Sequence, residues 1–219
     1  MCGIAGFIGE CQQPLVSLKE MAKAIYHRGP DDQGVWFDEQ CGIGLAHTRL
    51  SILDLSPAGH QPMESISGQY MMVFNGEVYN HQIIKNELNN ITSIDWRGHS
   101  DTETLLAGFE AWGIKETIEK AIGMFAIAVW DRSANTLTLV RDRIGEKPLY
   151  YGWQDDTFLF GSELKALKQH TAFKSEINRD AITLLLRHNY IPTPYSIYKG
   201  IAKLEPGCLL TVSLKYPKP

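Results

Sequence analysis

The chain has 219 residues, 44% hydrophobic and 21% charged, the proportions of a globular domain with a real core. A net charge of -4 and a pI near 6.0 leave no basic footprint for nucleic acid. No apolar run approaches the roughly 20 residues that cross a bilayer and no secretory leader opens the chain, so no membrane is expected and the cytoplasm is the expected compartment.

The N-terminus, Met1-Cys2-Gly3-Ile4-Ala5-Gly6-Phe7-Ile8-Gly9, reads as a buried strand with close backbone approach. Removal of Met1 would leave Cys2 with a thiol (pKa about 8.5) and an α-amine (about 7.7–8.0) on one residue, a nucleophile with its own general base. The alternative is a small buried side chain. Leu15, Leu18, Met21, Ala22 and Ile25 recur at helical spacing, and the helix stops near His27-Arg28-Gly29-Pro30. Arg28 reads as a structural residue at that stop. Residues 33–37 and 42–50 look like paired strands joined at Asp38-Glu39-Gln40, and Arg49 stands where the second strand enters a loop, a place suited to holding an anion.

Tyr70–Phe74 reads as a buried strand that ends in Asn75-Gly76, a strong hairpin signal, so the local reading is a type I′ turn. The same pair could instead aim a side-chain amide and a backbone N–H at a developing oxyanion. Residues 83–88 form a short helix. A second helix follows Ser100-Asp101-Thr102-Glu103, where Ser100 or Asp101 is a plausible N-cap, and ends at Gly113. From Met124 the chain turns to strands (124–130, 137–140, 149–153, 157–160), then to helices near 163–168 and 179–187. Five of the ten prolines fall between Pro192 and Pro219, the texture of a linker. Strands and hairpins in both halves, without a βαβ rhythm, predict an α+β fold: a four-layer α/β/β/α sandwich of two antiparallel sheets flanked by helices.

The four cysteines form no paired framework and the seven histidines no metal-ligand spacing, so neither disulfides nor a metal site is expected.

Taken together, residues 1–6, Arg28-Gly29-Pro30-Asp31, Ala46-His47-Thr48-Arg49-Leu50-Ser51-Ile52, Phe74-Asn75-Gly76-Glu77-Val78-Tyr79-Asn80 and Ser100-Asp101-Thr102-Glu103 resemble the glutaminase domain of class II glutamine amidotransferases, which are N-terminal-nucleophile hydrolases. Arg141-Asp142-Arg143-Ile144-Gly145-Glu146-Lys147-Pro148-Leu149-Tyr150-Tyr151 and Phe160–Leu167 resemble the glutamine-hydrolysing asparagine synthetases in particular, with Ile144 and Glu146 as departures from the usual residues. The resemblance implies that Cys2 attacks the glutamine side-chain amide and that Asn75 and Gly76 form the oxyanion hole. It also implies that Arg49 holds the substrate carboxylate and that Asp101, with Glu77, holds its ammonium. It divides the chain into a glutaminase domain over residues 1–205 and, over 206–219, the start of a linker to an ATP-dependent synthetase domain. That domain would be the partner in the same full-length chain, and ATP and Mg²⁺ would belong to it, with no cofactor here. A homodimer of the full-length protein stays open. The alternatives are the same glutaminase chemistry feeding a sugar or cell-envelope precursor, or a catalytically silent regulatory domain.

Overall fold

In the computed structural model, residues 1–213 are described. The chain opens with β1 (Gly3–Ile8), α1 (Pro14–Ala24) and the hairpin β2 (Asp32–Asp38) and β3 (Ile43–Arg49). Next come β4 (Met63–Glu64), β5 (Tyr70–Val78), α2 (His81–Ile91), α3 (Asp101–Trp112) and α4 (Ile114–Lys120). The second half contains β6 (Gly123–Asp131), β7 (Thr136–Arg141), β8 (Tyr150–Gln154), β9 (Thr157–Gly161), α5 (Leu164–Leu167), α6 (Arg179–His188), β10 (Ile201–Lys203) and β11 (Leu209–Ser213).

These strands make a six-stranded sheet in the order β10-β8-β9-β1-β3-β2 and a five-stranded sheet in the order β11-β7-β6-β5-β4. Their pairings are antiparallel. Period-two alternation explains the layering. Ile4 and Ile8 of β1 and Met71 and Val73 of β5 meet between the sheets, with Ile43, Leu45 and Trp130. The opposite face of β5, Met72 and Phe74, packs on Ile84 and Leu88 of α2 and Leu105 and Phe109 of α3. The opposite face of β1, Ala5 and Phe7, packs on Leu18 and Met21 of α1 and Leu167 of α5. Strands covered on both faces read as continuous apolar runs, and the four-layer sandwich expected from them is the fold observed.

Three expectations are corrected. Asn75-Gly76 is not a turn: β5 runs through it to Val78, because Asn75 pairs with Ala126 and Gly76 with Phe125 in the long ladder with β6. The boundary at 205 falls too early, since Leu209–Ser213 pairs with β7 and Val212 is buried in the inter-sheet core. The rest of the expected linker, 214–219, lies outside the described residues. Gly113 does end α3, with φ of 83°, but α4 begins at the next residue, a short helix the sequence reading missed.

Candidate functional site

Cys2 immediately precedes β1, beside the end of β3. The Leu50 N–H donates to its Sγ at 3.4 Å, and the thiol faces the Leu50 carbonyl at 3.6 Å. Burial pushes the thiol pKa up, while the Leu50 contact, the N-terminal charge and Arg49 pull it down. Arg28 braces the residue: its Nε donates to the Cys2 carbonyl at 2.9 Å and its Nη1 to Glu163 at 2.8 Å. The structural role read for Arg28 therefore holds, but the thing it supports is Cys2.

The environment of Asn75 and Gly76 is set by the register of β5. Both Phe125 backbone polar groups are engaged by Asp142: its N–H by the carboxylate at 3.3 Å, its carbonyl by the Asp142 N–H at 2.9 Å. The opposing Gly76 therefore points its own N–H away from β6, and β4 covers only Met71 and Met72 of that edge. Along it, the Phe74 N–H donates to Gln61 Oε1 at 2.7 Å and the Val78 N–H to Asp101 Oδ2 at 2.9 Å. Gly76 stands between these two capped amides and lines the cavity that Cys2 lines. No side chain fits at Gly76, since a Cβ there would lie 2.6 Å from Phe125 Cα. The Asn75 side chain is on the inter-sheet side with Met71 and Val73. It is 1% exposed, and its Nδ2 has no hydrogen-bond partner among the described residues. A buried amide left unpaired is a donor awaiting an acceptor.

All six residues singled out from the sequence line one cavity of ≈ 110 Å³: Cys2, Arg49, Asn75, Gly76, Glu77 and Asp101. Asp101 is the first residue of α3, but Ser100 is the cap, accepting the Glu103 N–H at 3.2 Å. The Asp101 carboxylate takes the Val78 N–H and the Thr102 N–H, both at 2.9 Å. Burial pushes its pKa up to about 6, against the pull of these bonds. Arg49 donates Nη1 to the Ser56 carbonyl at 3.0 Å and Nη2 to the Asp54 carbonyl. These bonds use two of its five N–H donors. Arg49 thus pins the 51–59 loop as well as facing the cavity.

Sequence reading missed the residues that hold these in place. Asp54 accepts the His99 N–H at 2.9 Å and the Ser56 N–H at 2.8 Å, and these bonds pull its pKa down to about 2. Gln61 Nε2 donates to Thr102 Oγ1 at 3.4 Å, so Gln61 links β5 to α3. His47, fully buried in β3, pairs Nε2 with the Phe74 carbonyl at 3.1 Å, tying the two sheets together next to Asn75. Burial lowers its pKa to about 4, so it is neutral at physiological pH. None of the three carries a local sequence signature of this role.

The glutamine amidotransferase domain family model matches residues 1–217. The chain is 38% identical to the putative asparagine synthetase [glutamine-hydrolyzing] 2 of Methanocaldococcus jannaschii, with 94% of this chain and 42% of that protein covered. It is 36% identical to asparagine synthetase [glutamine-hydrolyzing] 3 of Bacillus subtilis, with 97% of this chain and 35% of that protein covered. The chain thus spans well under half the length of these curated relatives. Among solved structures, the glutamine phosphoribosylpyrophosphate amidotransferase of B. subtilis superposes with a TM-score of 0.72 at 18% identity, covering 98% of this chain and 48% of that one; this likeness bears on the fold alone. The family match over nearly the whole chain and the cavity that gathers Cys2 with its expected companions lead to one conclusion: the chain belongs to the glutamine amidotransferase domain family.

Proposed function

We propose that the processed chain, with Met1 removed, hydrolyses glutamine through a Cys2 thioester. The observation that carries this reading is the placing of the Cys2 thiol and the unpartnered Asn75 amide on the wall of one cavity. Sγ attacks the side-chain amide carbon as its proton passes to the Cys2 α-amine. The oxyanion that forms is stabilised by Asn75 Nδ2 and the Gly76 N–H. The amine then gives the proton to the leaving nitrogen, ammonia departs, and water hydrolyses the γ-glutamyl thioester to glutamate. Arg49 takes the substrate α-carboxylate as a planar fork, and Asp101 with Glu77 takes the α-ammonium.

The ammonia is destined, in this reading, for ATP- and Mg²⁺-dependent amidation of aspartate by a synthetase portion of the full-length protein. That assignment is supported by the names of the relatives above, of which this chain covers 42% and 35%.

Glutamate release from glutamine, measured beside Cys2→Ala, tests the chemistry; equal rates in the two proteins would overturn it. Intact mass fixes the state of the N-terminus, and molecules that keep Met1 should be inactive, because their Cys2 nitrogen is an amide and no base.

A further inference from the structure

Of the stretch 141–147, only Asp142 has a role above, through its bonds to Phe125. The arginines of this stretch do not form a basic face. Arg141 donates to the carbonyls of Lys147 (2.9 Å), Gly145 (2.8 Å) and Leu204 (2.6 Å), and Arg143 to those of Ala121 (2.7 Å) and Glu119 (2.9 Å). Asp142, buried, accepts the N–H groups of Ile144 (3.2 Å), Glu146 (2.9 Å) and Lys147 (3.0 Å), besides that of Phe125. Gly145 turns the chain at φ of 73°, where a Cβ would lie 2.8 Å from Pro206. Most backbone N–H groups of the loop are held, and the side chain it turns into the cavity is Lys147.

Lys147 is 4% exposed and lines the Cys2 cavity. Its Nζ lies 3.2 Å from Met1 Sδ, and among the described residues no carboxylate lies within 4.0 Å of it. A buried ammonium whose side-chain neighbour is a thioether is unfavourable for stability, and a residue needed only for packing would be uncharged. That neighbour is the residue that processing removes. Its loss leaves the ammonium on the wall of the cavity that Cys2 lines, next to the space the Met1 side chain occupied.

Resting on the glutaminase reading above, we infer that Lys147 acts through the Cys2 amine: its positive charge holds that amine as the free base, ready to take the thiol proton. Lys147 itself gives and takes no proton. The proton moves from Sγ to the amine nitrogen as the S–C bond forms, and from there to the leaving nitrogen as the C–N bond breaks.

Other charges face the same space. Asp101 of α3, Glu77 of β5 and Asp54 of the 51–59 loop favour the protonated amine, while Glu146, next to Lys147, is exposed and does not line the cavity. Arg49 of β3 acts in the sense of Lys147, but its guanidinium is drawn to the Ser56 and Asp54 carbonyls. Arg28 reaches the Cys2 carbonyl yet is paired with Glu163 at 2.8 Å. Asp142 is committed to the four backbone N–H groups around it. Lys147 is therefore the cation on the Met1 side of the cavity. A like charge ~6 Å away at an effective dielectric of ~20 lowers an amine pKa by up to about two units, and screening leaves about one.

The test is an NMR titration of the ¹⁵N-labelled Cys2 amine in the processed chain, compared with Lys147→Met and Lys147→Arg. Lys147→Met should raise the amine's midpoint by about one pH unit and move the acid limb of kcat/KM upward by the same amount, with KM at pH 9 unchanged. Lys147→Arg should keep both at their parent positions. Identical amine titrations in parent and Lys147→Met, or a loss of kcat at every pH without a shifted limb, would overturn the inference. Should Lys147→Met not fold, Lys147→Gln makes the same uncharged comparison. The amine titration does not depend on turnover, so a failed glutaminase reading, seen as Cys2-independent glutamate release, is recognised separately.

Discussion

The Asp101 carboxylate accepts the Val78 N–H at 2.9 Å, fastening the first turn of α3 to the strand that carries Asn75 and Gly76. One carboxylate thus fixes that strand and faces the cavity that Cys2 lines. Its pKa, pushed up to about 6 by burial, makes glutamine binding depend on pH. As pH falls through about 6, Asp101 gains a proton and loses its attraction for the substrate ammonium. KM for glutamine should rise accordingly, and Asp101→Asn should give a raised KM, about tenfold or more, that no longer changes across this range. Initial rates between pH 5 and 8 decide it; normal affinity in Asp101→Asn would leave the residue a backbone acceptor alone.

In the proposed mechanism Asn75→Ala removes an oxyanion donor and leaves the other proposed glutamine contacts in place. We expect kcat to fall about 10²–10³-fold, equivalent to about 2.7–4 kcal/mol, with KM little changed. A steady-state split in which KM carries the loss would assign Asn75 to substrate binding.

Arg49→Lys keeps the charge and loses the fork. Because Arg49 also donates to the Ser56 and Asp54 carbonyls, the substitution should raise KM about tenfold and speed amide exchange across residues 51–59. Faster exchange with an unchanged KM would make Arg49 a brace for the loop only.

His47 gives the fold a pH dependence of its own. Its folded pKa of about 4 lies below the unfolded value of 6.5, so between these the unfolded chain binds more protons. The stability that neutral His47 contributes is complete above about 6.5 and is lost as pH falls through 4, by about 3 kcal/mol in all. Asp101 works in the opposite sense: its folded value of about 6 exceeds the unfolded 3.8, so acidification from 6 to 4 favours the folded state. His47→Gln keeps a donor for the Phe74 carbonyl and cannot titrate. Its urea midpoint should fall less than the parent's between pH 7 and 5, and parallel losses would show that His47 does not carry the effect.

The sequence by itself determined the layers and singled out six residues that line one cavity. Apolar runs such as Tyr70–Phe74 and Met124–Trp130 can only be strands covered on both faces, and a helix with Leu18, Met21 and Ala22 on one side must cover a sheet. Cys2, Arg49, Asn75, Gly76, Glu77 and Asp101 were likewise legible, through their resemblance to a family pattern. Local chemistry alone misread Asn75-Gly76 as a turn, because the force that extends it is pairing with Phe125 and Ala126, some fifty residues away. The same holds for β11, whose proline-rich surroundings hide a strand that exists only against β7. Tertiary structure alone decided where the donors stand: Gly76 points away from β6 by the parity of a ladder, the Asn75 amide is buried without a partner among the described residues, and Lys147 is brought to Met1 by a loop that closes on the N-terminus. These are properties of what lies across space from a residue, and a linear pattern carries no record of its distant neighbours.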